Sequence, residues 1–403
     1  MEFLLAAKAD INKDSGRSKK PIHAAAQSGN RNAIDCLMHA KADINVQDDD
    51  RKTPLLTCAE RGDGAMARHI IEQYNAEIDR ADQYGRHPFH VACQNDSVEV
   101  MQLLLEKKVD INIPGPDGNQ PLHYAAQHTG DKAYEFLVSH GANEDMPNAQ
   151  GETPRTMRLQ TKQSYINEQL YHTTHAYECD LAKVKELIAA KAEIDRPPYR
   201  HKGHLHLSDQ PLVSAAKRGH LPIIKHFLSL KANVNIQSGY AGERALYVAA
   251  LYDRPKVLDA LLKAGAEVNA RDEAGNTALS GAAQGVCPEI VQRLLEEKAD
   301  PNIPGFFGNT PLIAAAERRY PTATVVTKQL LESKANLHAT NNAGNTALHC
   351  AAEINNIDTC RLLIEARACI NAQNTQGQKP IDLADHYRHD IQQLLTSAAA
   401  EKN

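Results

Sequence analysis

The sequence repeats itself roughly every 33 residues, and this periodicity limits the fold more than any other feature. One polar residue closes each copy of an "Ala-Asp-Ile-Asn"-like element, and the successive spacings are 33, 34, 33, 33, 50, 40, 34, 33, 36 and 33. In chain order these residues are Asn12, Asn45, Asp79, Asn112, Asp145, Asp195, Asn235, Asn269, Asn302, His338 and Asn371. Loop lengths in ordinary globular domains vary freely. The regular spacing therefore predicts a solenoid in which each repeat packs on its neighbours.

Residues 277–309 show what one repeat contains. Thr277 is a helix-capping residue, and the small side chains that follow it indicate a short first helix. Apolar residues at helical spacing in 289–295 predict a second, amphipathic helix. Glycines at 305 and 308 enclose a projecting turn. Neither helix could bury its apolar stripe alone, so the repeat needs neighbours on both sides.

These patterns resemble the ankyrin repeat over almost the whole chain. Residues 53–55, 310–312 and 121–126 match its opening segment, and residues 265–269 match the end of its second helix. The resemblance implies an all-α repeat solenoid of paired antiparallel helices with β-hairpin fingers. It also implies a concave face made of fingers and first helices, which binds protein partners.

The chain departs from the family where glycine usually ends the second helix with left-handed backbone. Gly141 and Gly265 keep the glycine, whereas the other repeats carry Lys8, Lys41, Asn75, Lys108, Lys191, Lys231, Lys298, Lys334 and Arg367. A non-glycine residue there costs about 1 kcal/mol, and a cation beside the helix C-terminus recovers about 0.3–1 kcal/mol. The alternative is a basic ladder for an acidic partner. This use of lysine resembles ankyrin proteins of intracellular bacteria, including effectors.

The 50-residue interval predicts an irregular junction near 153–180. Arg155 and Arg158 replace the usual apolar and small residues there, which suits the polar outer face of a cap. We expect a partial repeat at 1–17, a first array at 18–170 and a second array with a C-terminal cap at 171–403. A single solenoid with a local kink is the alternative. Either arrangement predicts a bend or a rotation at the junction.

The 40-residue interval enlarges the finger at 196–209, the most unusual loop in the sequence. Long loops often carry function, so we expect it to contact a partner through Tyr199, Arg200, His201 and His204. A second hypothesis is a divalent metal site formed by His201, His204 and His206 with Asp209. Their spacing fits no established zinc pattern.

The 36-residue interval holds an insertion at Arg318, Arg319 and Tyr320, one repeat after adjacent aromatic residues at a fingertip, Phe306 and Phe307. Exposed aromatic rings beside arginines are typical of interface anchors. The same surface is extended by Tyr240 and Tyr252. We expect one aromatic–basic interaction patch, although scattered apolar residues are normal on protein surfaces.

Catalytic motifs give no support for an enzyme. The sequence lacks a P-loop, a G-x-S-x-G motif and a dinucleotide-binding glycine motif in a strand-to-helix context. The histidines at helix openings are expected to bond neighbouring turns; they are His23, His90, His123 and His349. No cofactor is expected. The resemblance also implies that an asparaginyl hydroxylase could modify Asn45, Asn112, Asn235, Asn269 and Asn371, although a structural role in the turn into the finger is the stronger explanation.

Charge and composition narrow the class of partner and the cellular location. Net charge is −5 with 24% charged residues, so no nucleic-acid partner is expected. Membrane insertion is not expected either. No apolar run reaches the length of a membrane span. Eight cysteines without a C-x-x-C pair suggest reduced thiols and a cytoplasmic protein, in the host cytosol if it is a secreted effector.

The first eight residues have the pattern of a second helix without a first. We expect upstream residues or another chain to cover Phe3, Leu4 and Leu5. The function expected is a non-catalytic interaction scaffold. The runner-up is the recognition part of a larger effector or enzyme whose catalytic domain lies upstream of residue 1.

Overall fold

A computed structural model describes residues 20–196, 209–239, 241–384 and 389–400. In these ranges 22 α-helices follow one another in pairs, a first helix and a second helix. The first helices are α1 (Pro21–Ser28), α3 (Pro54–Arg61), α5 (Pro88–Gln94), α7 (Pro121–Ala126), α9 (Pro154–His175), α11 (Pro211–Arg218), α13 (Ala245–Leu251), α15 (Ala278–Gly285), α17 (Pro311–Ala316), α19 (Ala347–Glu353) and α21 (Pro380–Leu383). The second helices are α2 (Arg31–His39), α4 (Gly64–Tyr74), α6 (Val98–Glu106), α8 (Lys132–Ser139), α10 (Leu181–Ala189), α12 (Leu221–Ser229), α14 (Pro255–Lys263), α16 (Pro288–Glu296), α18 (Pro321–Glu332), α20 (Ile357–Glu365) and α22 (His389–Ala400).

Side-chain caps set the starts of many helices. Thr277 Oγ1 accepts a hydrogen bond from the backbone N–H of Ser280 at 3.2 Å, which confirms Thr277 as the cap of α15. At the start of α4, Asp63 Oδ1 accepts the N–H of Met66 at 2.8 Å. Each cap satisfies a backbone donor that has no partner within its helix. The repeat opening is therefore specified locally, before any packing between helices.

The cations that replace glycine lie in the left-handed region of backbone space. Lys41, Lys108 and Lys298 each have φ of 64°, and Gly265 at the corresponding position has φ of 87°. This backbone turn ends the second helix and directs the chain into the next finger. The backbone at the end of the second helix is left-handed whether lysine or glycine stands there, so the shape of the repeat does not require glycine at this position.

The fingers are short hairpin turns closed by backbone hydrogen bonds. Asp272 N–H donates to the carbonyl of Asn276 at 3.0 Å, and the preceding finger forms a β-bridge between Ser238 and Glu243. One further bond joins these neighbouring fingers, from Glu273 N–H to the carbonyl of Ala241 at 2.9 Å. Consecutive fingertips are thereby held in register.

The irregular junction contains one long helix. First helices elsewhere have up to eight residues, whereas α9 has 22 and accounts for the 50-residue interval. Our assignment of Arg158 to a polar outer face is wrong, because this side chain is 4% exposed. It lies beside Asp131, and its guanidinium carbon is 5.3 Å from the ring centre of Tyr134. Arg155 is half exposed and pairs with Glu144 and Asp145, as a polar face would.

The chain divides into two compact units, residues 1–165 and 166–403. The hydrophobic core of the first extends from Ile22 to Met157, and that of the second extends from Leu170 to Leu395. In both, the apolar faces of first and second helices supply the buried side chains. The array boundary that we expect after residue 170 stays a prediction.

Candidate functional site

The finger at 305–309 presents two aromatic rings at its tip. The ring centres of Phe306 and Phe307 are 3.9 Å apart, and the two residues are 55% and 63% exposed. Phe307 has φ of 55°, a left-handed conformation that costs a residue with a Cβ atom about 1–2 kcal/mol. Two exposed rings and a strained backbone both oppose stability.

The finger itself does not require these phenylalanines. Residues 115–119 have Pro and Asp at the two corresponding positions and form the same turn: Asp117 also has φ of 55°. The closing bond is 2.8 Å long from Gly115 and 2.9 Å long from Gly305. The turn therefore forms with other residue types at both positions, and its backbone does not require the aromatic pair.

A cleft of about 210 Å³ lies beside the aromatic pair, between the fingers and first helices α15 and α17. Its lining includes Phe306, Phe307, Gln284, Glu317 and Arg318. Burial raises the pKa of Glu317, and its carboxyl group accepts hydrogen bonds from Asn309 Nδ2 at 3.0 and 3.1 Å. The structure thus brings three predicted site residues together: Phe306, Phe307 and Arg318.

Arg319 and Tyr320 occupy the turn between α17 and α18. Both are exposed, Tyr320 to 62%, and neither is among the residues that line the cleft. The insertion in this repeat includes three extra residues in α18, which has 12 where α16 has nine. The predicted patch is therefore spread over the cleft and the adjoining turn.

Tyr252 lies apart from the cleft, at the end of α13, where it contacts a cation. It is 42% exposed, and the Nζ atom of Lys217 lies 5.4 Å from its ring centre. Sequence reasoning missed Lys217 and the neighbouring contact, in which the guanidinium carbon of Arg218 lies 4.3 Å from the ring centre of Tyr177. The repeat register could have predicted these contacts, because Lys217 and Arg218 occupy the repeat positions at the end of α11 that Leu251 and Tyr252 occupy at the end of α13.

The enlarged finger and one fingertip lie outside the described residues. This applies to Tyr199, Arg200, His201, His204, His206 and Tyr240. Their roles in partner or metal binding stay predictions. In the described part of the chain, no group of three or more His, Cys, Asp or Glu side chains is arranged to hold a metal ion.

The opener histidines bond between consecutive repeats, as we expect from the sequence. His90 Nδ1 accepts the N–H of His87 at 3.2 Å, so Nε2 carries the proton and donates to the carbonyl of Ile113 at 2.9 Å. Burial lowers the pKa of His90 to about 4, which keeps the ring neutral. His23, His123 and His349 also bond a backbone carbonyl of the next repeat, at 2.9, 3.2 and 3.1 Å, but their acceptors lie 29 residues on, at the closing residue of the finger.

Several of the closing asparagines also join repeats, which differs from the role in the turn that we expected. Asn269 Oδ1 accepts the N–H of Asp300 at 2.9 Å in the next repeat, and Asn235 accepts that of Glu267 at the same distance. The turn is instead fixed by the residue two positions earlier: Asn233 Oδ1 accepts Asn235 N–H at 3.0 Å. Asn45 makes the inter-repeat bond at 2.8 Å, whereas the side chains of Asn112 and Asn371 have no such bond to any residue that the structure describes.

A family model described as "Ankyrin repeats (3 copies)" matches residues 1–82, 59–148, 174–272, 277–374 and 322–403. Among solved structures, the chain is similar to the one titled "Crystal structure of the ankyrin repeat domain of Bcl-3: a unique member of the IkappaB protein family". The two are 25% identical with a TM-score of 0.45, and the match covers 55% of this chain and 96% of that one. A comparison with curated proteins found no match. Within the described ranges, none of the helices has the length and apolar character needed to span a bilayer.

Proposed function

Since this chain belongs to the ankyrin-repeat family, whose repeats are generally protein–protein interaction modules, we propose that it is a non-catalytic scaffold for a protein segment. The segment lies across fingers and first helices of the second unit, with Phe306 and Phe307 as its anchors. Tyr252, Arg318, Arg319 and Tyr320 contribute the surrounding contacts. The first-helix histidines are structural groups in this proposal, not catalytic bases.

The observation that carries the proposal is the aromatic pair beside the cleft. Aromatic side chains, phenylalanine included, and arginine are enriched at the cores of protein interfaces. Phe306 and Phe307 are exposed, lie against each other and border a cleft that Arg318 also lines. A partner that covered both rings would remove from water the apolar area that the free protein leaves exposed.

The test is a selection of a phage-displayed random peptide library on the full chain, followed by measurement of the affinity of the selected peptides. The variant Phe306→Ala/Phe307→Asn keeps the backbone N–H of residue 306 and places a residue that tolerates left-handed backbone at 307. We expect it to lower affinity by about tenfold or more.

The matched control is Tyr84→Ala, which removes another exposed fingertip aromatic, 61% exposed in the first unit. This variant should bind the selected peptides with the same affinities as the unaltered protein. If the selected peptides bind the Phe306/Phe307 variant as tightly as the original, while circular dichroism shows both to be folded, the anchor role is refuted.

The cellular location belongs to the same proposal. All eight cysteines are free, and burial raises the pKa of Cys58 and of Cys360 to about 12, so these thiols are protonated. Free thiols favour a reducing compartment such as the cytoplasm. The comparisons with known proteins do not support the hypothesis that this chain is a bacterial effector. No observation favours the alternative of a catalytic domain upstream of residue 1.

A further inference from the structure

Two exposed tyrosines and three cations lie at or just after the ends of the first helices α9, α11 and α13 in the second unit. Arg218 lies over Tyr177, which is 88% exposed, and Lys217 lies over Tyr252. Arg254 follows Tyr252 closely in sequence, and its Nε donates to the carbonyl of Lys217 at 3.3 Å. We refer to Tyr177, Lys217, Arg218, Tyr252 and Arg254 as the cation–aromatic row.

Neutral groups hold the guanidinium of Arg218 in place. Its Nε donates to the carbonyl of His175 at 2.8 Å, and Nη2 donates to His175 Nε2 at 3.1 Å. Burial, followed by the charge of Arg218, lowers the pKa of His175, so this imidazole is neutral and can accept the bond. Neutral acceptors orient the guanidinium without cancelling its charge, which leaves further N–H donors for an anion.

Some other cations of the protein are paired with carboxylates instead. Arg68 pairs with Glu72 and Glu106, and Arg293 pairs with Asp259 and Glu297. Over residues 20–196, 209–239, 241–384 and 389–400, Lys217, Arg218 and Arg254 form no ion pair.

Two carboxylates, Glu243 and Asp209, interact with the row or its neighbours without an ion pair. Glu243 is half-buried, and burial raises its pKa. The nearby charge of Lys217 lowers that pKa, although the two side chains form no ion pair. Asp209 acts on His175 from a distance, and its carboxylate accepts a bond from Ser238 Oγ at 3.5 Å. Within the described residues, the three cations of the row therefore have no carboxylate at ion-pair distance, although Glu178 and Asp253 lie next to the row in sequence.

We propose that the cation–aromatic row binds an acidic linear segment of a partner protein, which rests on the proposed function and specifies the chemistry of the partner. Carboxylates of the segment bond Arg218 and Lys217, and apolar side chains cover Tyr177 and Tyr252. Packed helices lie about 8–10 Å apart, and an extended chain rises about 3.3 Å per residue. An acidic residue on Arg218 is thus followed, roughly three residues later, by an apolar residue on Tyr252.

The test uses fluorescence anisotropy of the full chain with two fluorescein-labelled peptides. The acidic probe repeats Glu-Ser-Ser-Leu-Ser-Ser, and the neutral probe has Gln in place of Glu. We expect the acidic probe to bind at least about tenfold more tightly at low salt, and the difference to shrink as salt screens the charges. Lys217→Gln/Arg218→Gln should remove most of that preference.

A matched variant, Lys256→Gln/Lys263→Gln, removes two exposed cations from α14 and should bind both probes normally. Lys217→Gln alone leaves the bonds of Arg218 intact and should give an intermediate loss, so the result does not depend on one folded double variant. Equal binding of the two probes, binding of neither, or equal losses in both double variants would overturn the proposal.

The same probes separate this inference from the proposed function. Library peptides that need Phe306 and Phe307 but carry no acidic residues would refute the acidic partner and leave the anchor role standing. In the opposite outcome, the acidic probe binds only when Lys217 and Arg218 are present, and the library peptides bind the Phe306→Ala/Phe307→Asn variant normally. That result would support acidic binding at the cation–aromatic row and refute the anchor role of Phe306 and Phe307.

Discussion

Single residues in this protein often link two repeats instead of serving one. His90 shows this most clearly, because one ring nitrogen caps its own helix opening and the other bonds the carbonyl of Ile113. Both bonds need the neutral ring with its proton on Nε2. Burial removes the imidazole from water and so disfavours the charged form. The residue is a structural link whose protonation state decides whether the link exists.

Stability should consequently fall in mild acid. The pKa of His90 is lowered to about 4 in the folded protein, against about 6.5 in the unfolded chain. The unfolded state therefore binds the proton first, and the free energy of unfolding decreases as pH falls from about 6.5 towards 4. By pH 5 the loss from His90 should be about 2 kcal/mol, at 1.36 kcal/mol per pKa unit.

Urea denaturation at pH 7.5 and pH 5 measures this loss. His90→Gln removes the titrating group and keeps an amide donor for the carbonyl of Ile113. We expect the variant to be less stable at pH 7.5 but to lose less on acidification. If His90→Gln loses as much free energy of unfolding between pH 7.5 and pH 5 as the unaltered protein does, His90 is not the titrating group.

At the scale of the element, fingers and closing asparagines join repeats through backbone bonds. Asn269 accepts the N–H of Asp300, and the fingers at 241 and 273 are joined by a backbone bond. These bonds recur at the repeat spacing, and they complement the burial of helix faces. Helix pairs therefore stack in one register, which holds the fingertips at a constant separation.

Removal of one asparagine bond should have a small, local cost. Asn269→Ala leaves the N–H of Asp300 without its partner and should lower the free energy of unfolding by about 1 kcal/mol. Asn112→Ala is the control, because the described residues give the Asn112 side chain no such bond. The comparison is made by urea denaturation, and equal costs for the two variants would show that the inter-repeat bond contributes nothing.

Much of this element-level structure follows from the sequence, and its failures have physical causes. The cap at Thr277 and the start of α17 at Pro311 depend on neighbouring residues, so local patterns predict them. Arg158 was misplaced because sequence alone does not say which face of a 22-residue helix packs inward. The contact of Tyr177 with Arg218 joins residues 41 positions apart, which only the repeat register could have suggested.

On the scale of the whole molecule, each unit is built from contacts between adjacent repeats. In the second unit, α16 packs against α14 and α18, and α15 packs against α13 and α17. A repeat therefore owes its stability to itself and to two interfaces. Damage in one repeat should spread by these interfaces and weaken with distance.

Hydrogen exchange of a core variant tests this distance dependence. Leu294 in α16 is fully buried, and Leu294→Ala should cost about 2–5 kcal/mol. Exchange should accelerate most in residues 278–296, less in the neighbouring repeats at 245–263 and 311–332, and least in α10 of the same unit. Equal acceleration throughout the second unit, measured by mass spectrometry, would instead indicate a single cooperative core.

The shared backbone of the fingers at 115–119 and 305–309 has an evolutionary consequence. Pro-Asp and Phe-Phe occupy the same turn with the same φ at the second position. Mutation can exchange the tip residues while the turn, its closing bond and the helices beneath it stay unchanged. Binding specificity can therefore diverge faster than the fold, and a tip transplanted from one finger to another would carry its chemistry to a new place along the chain.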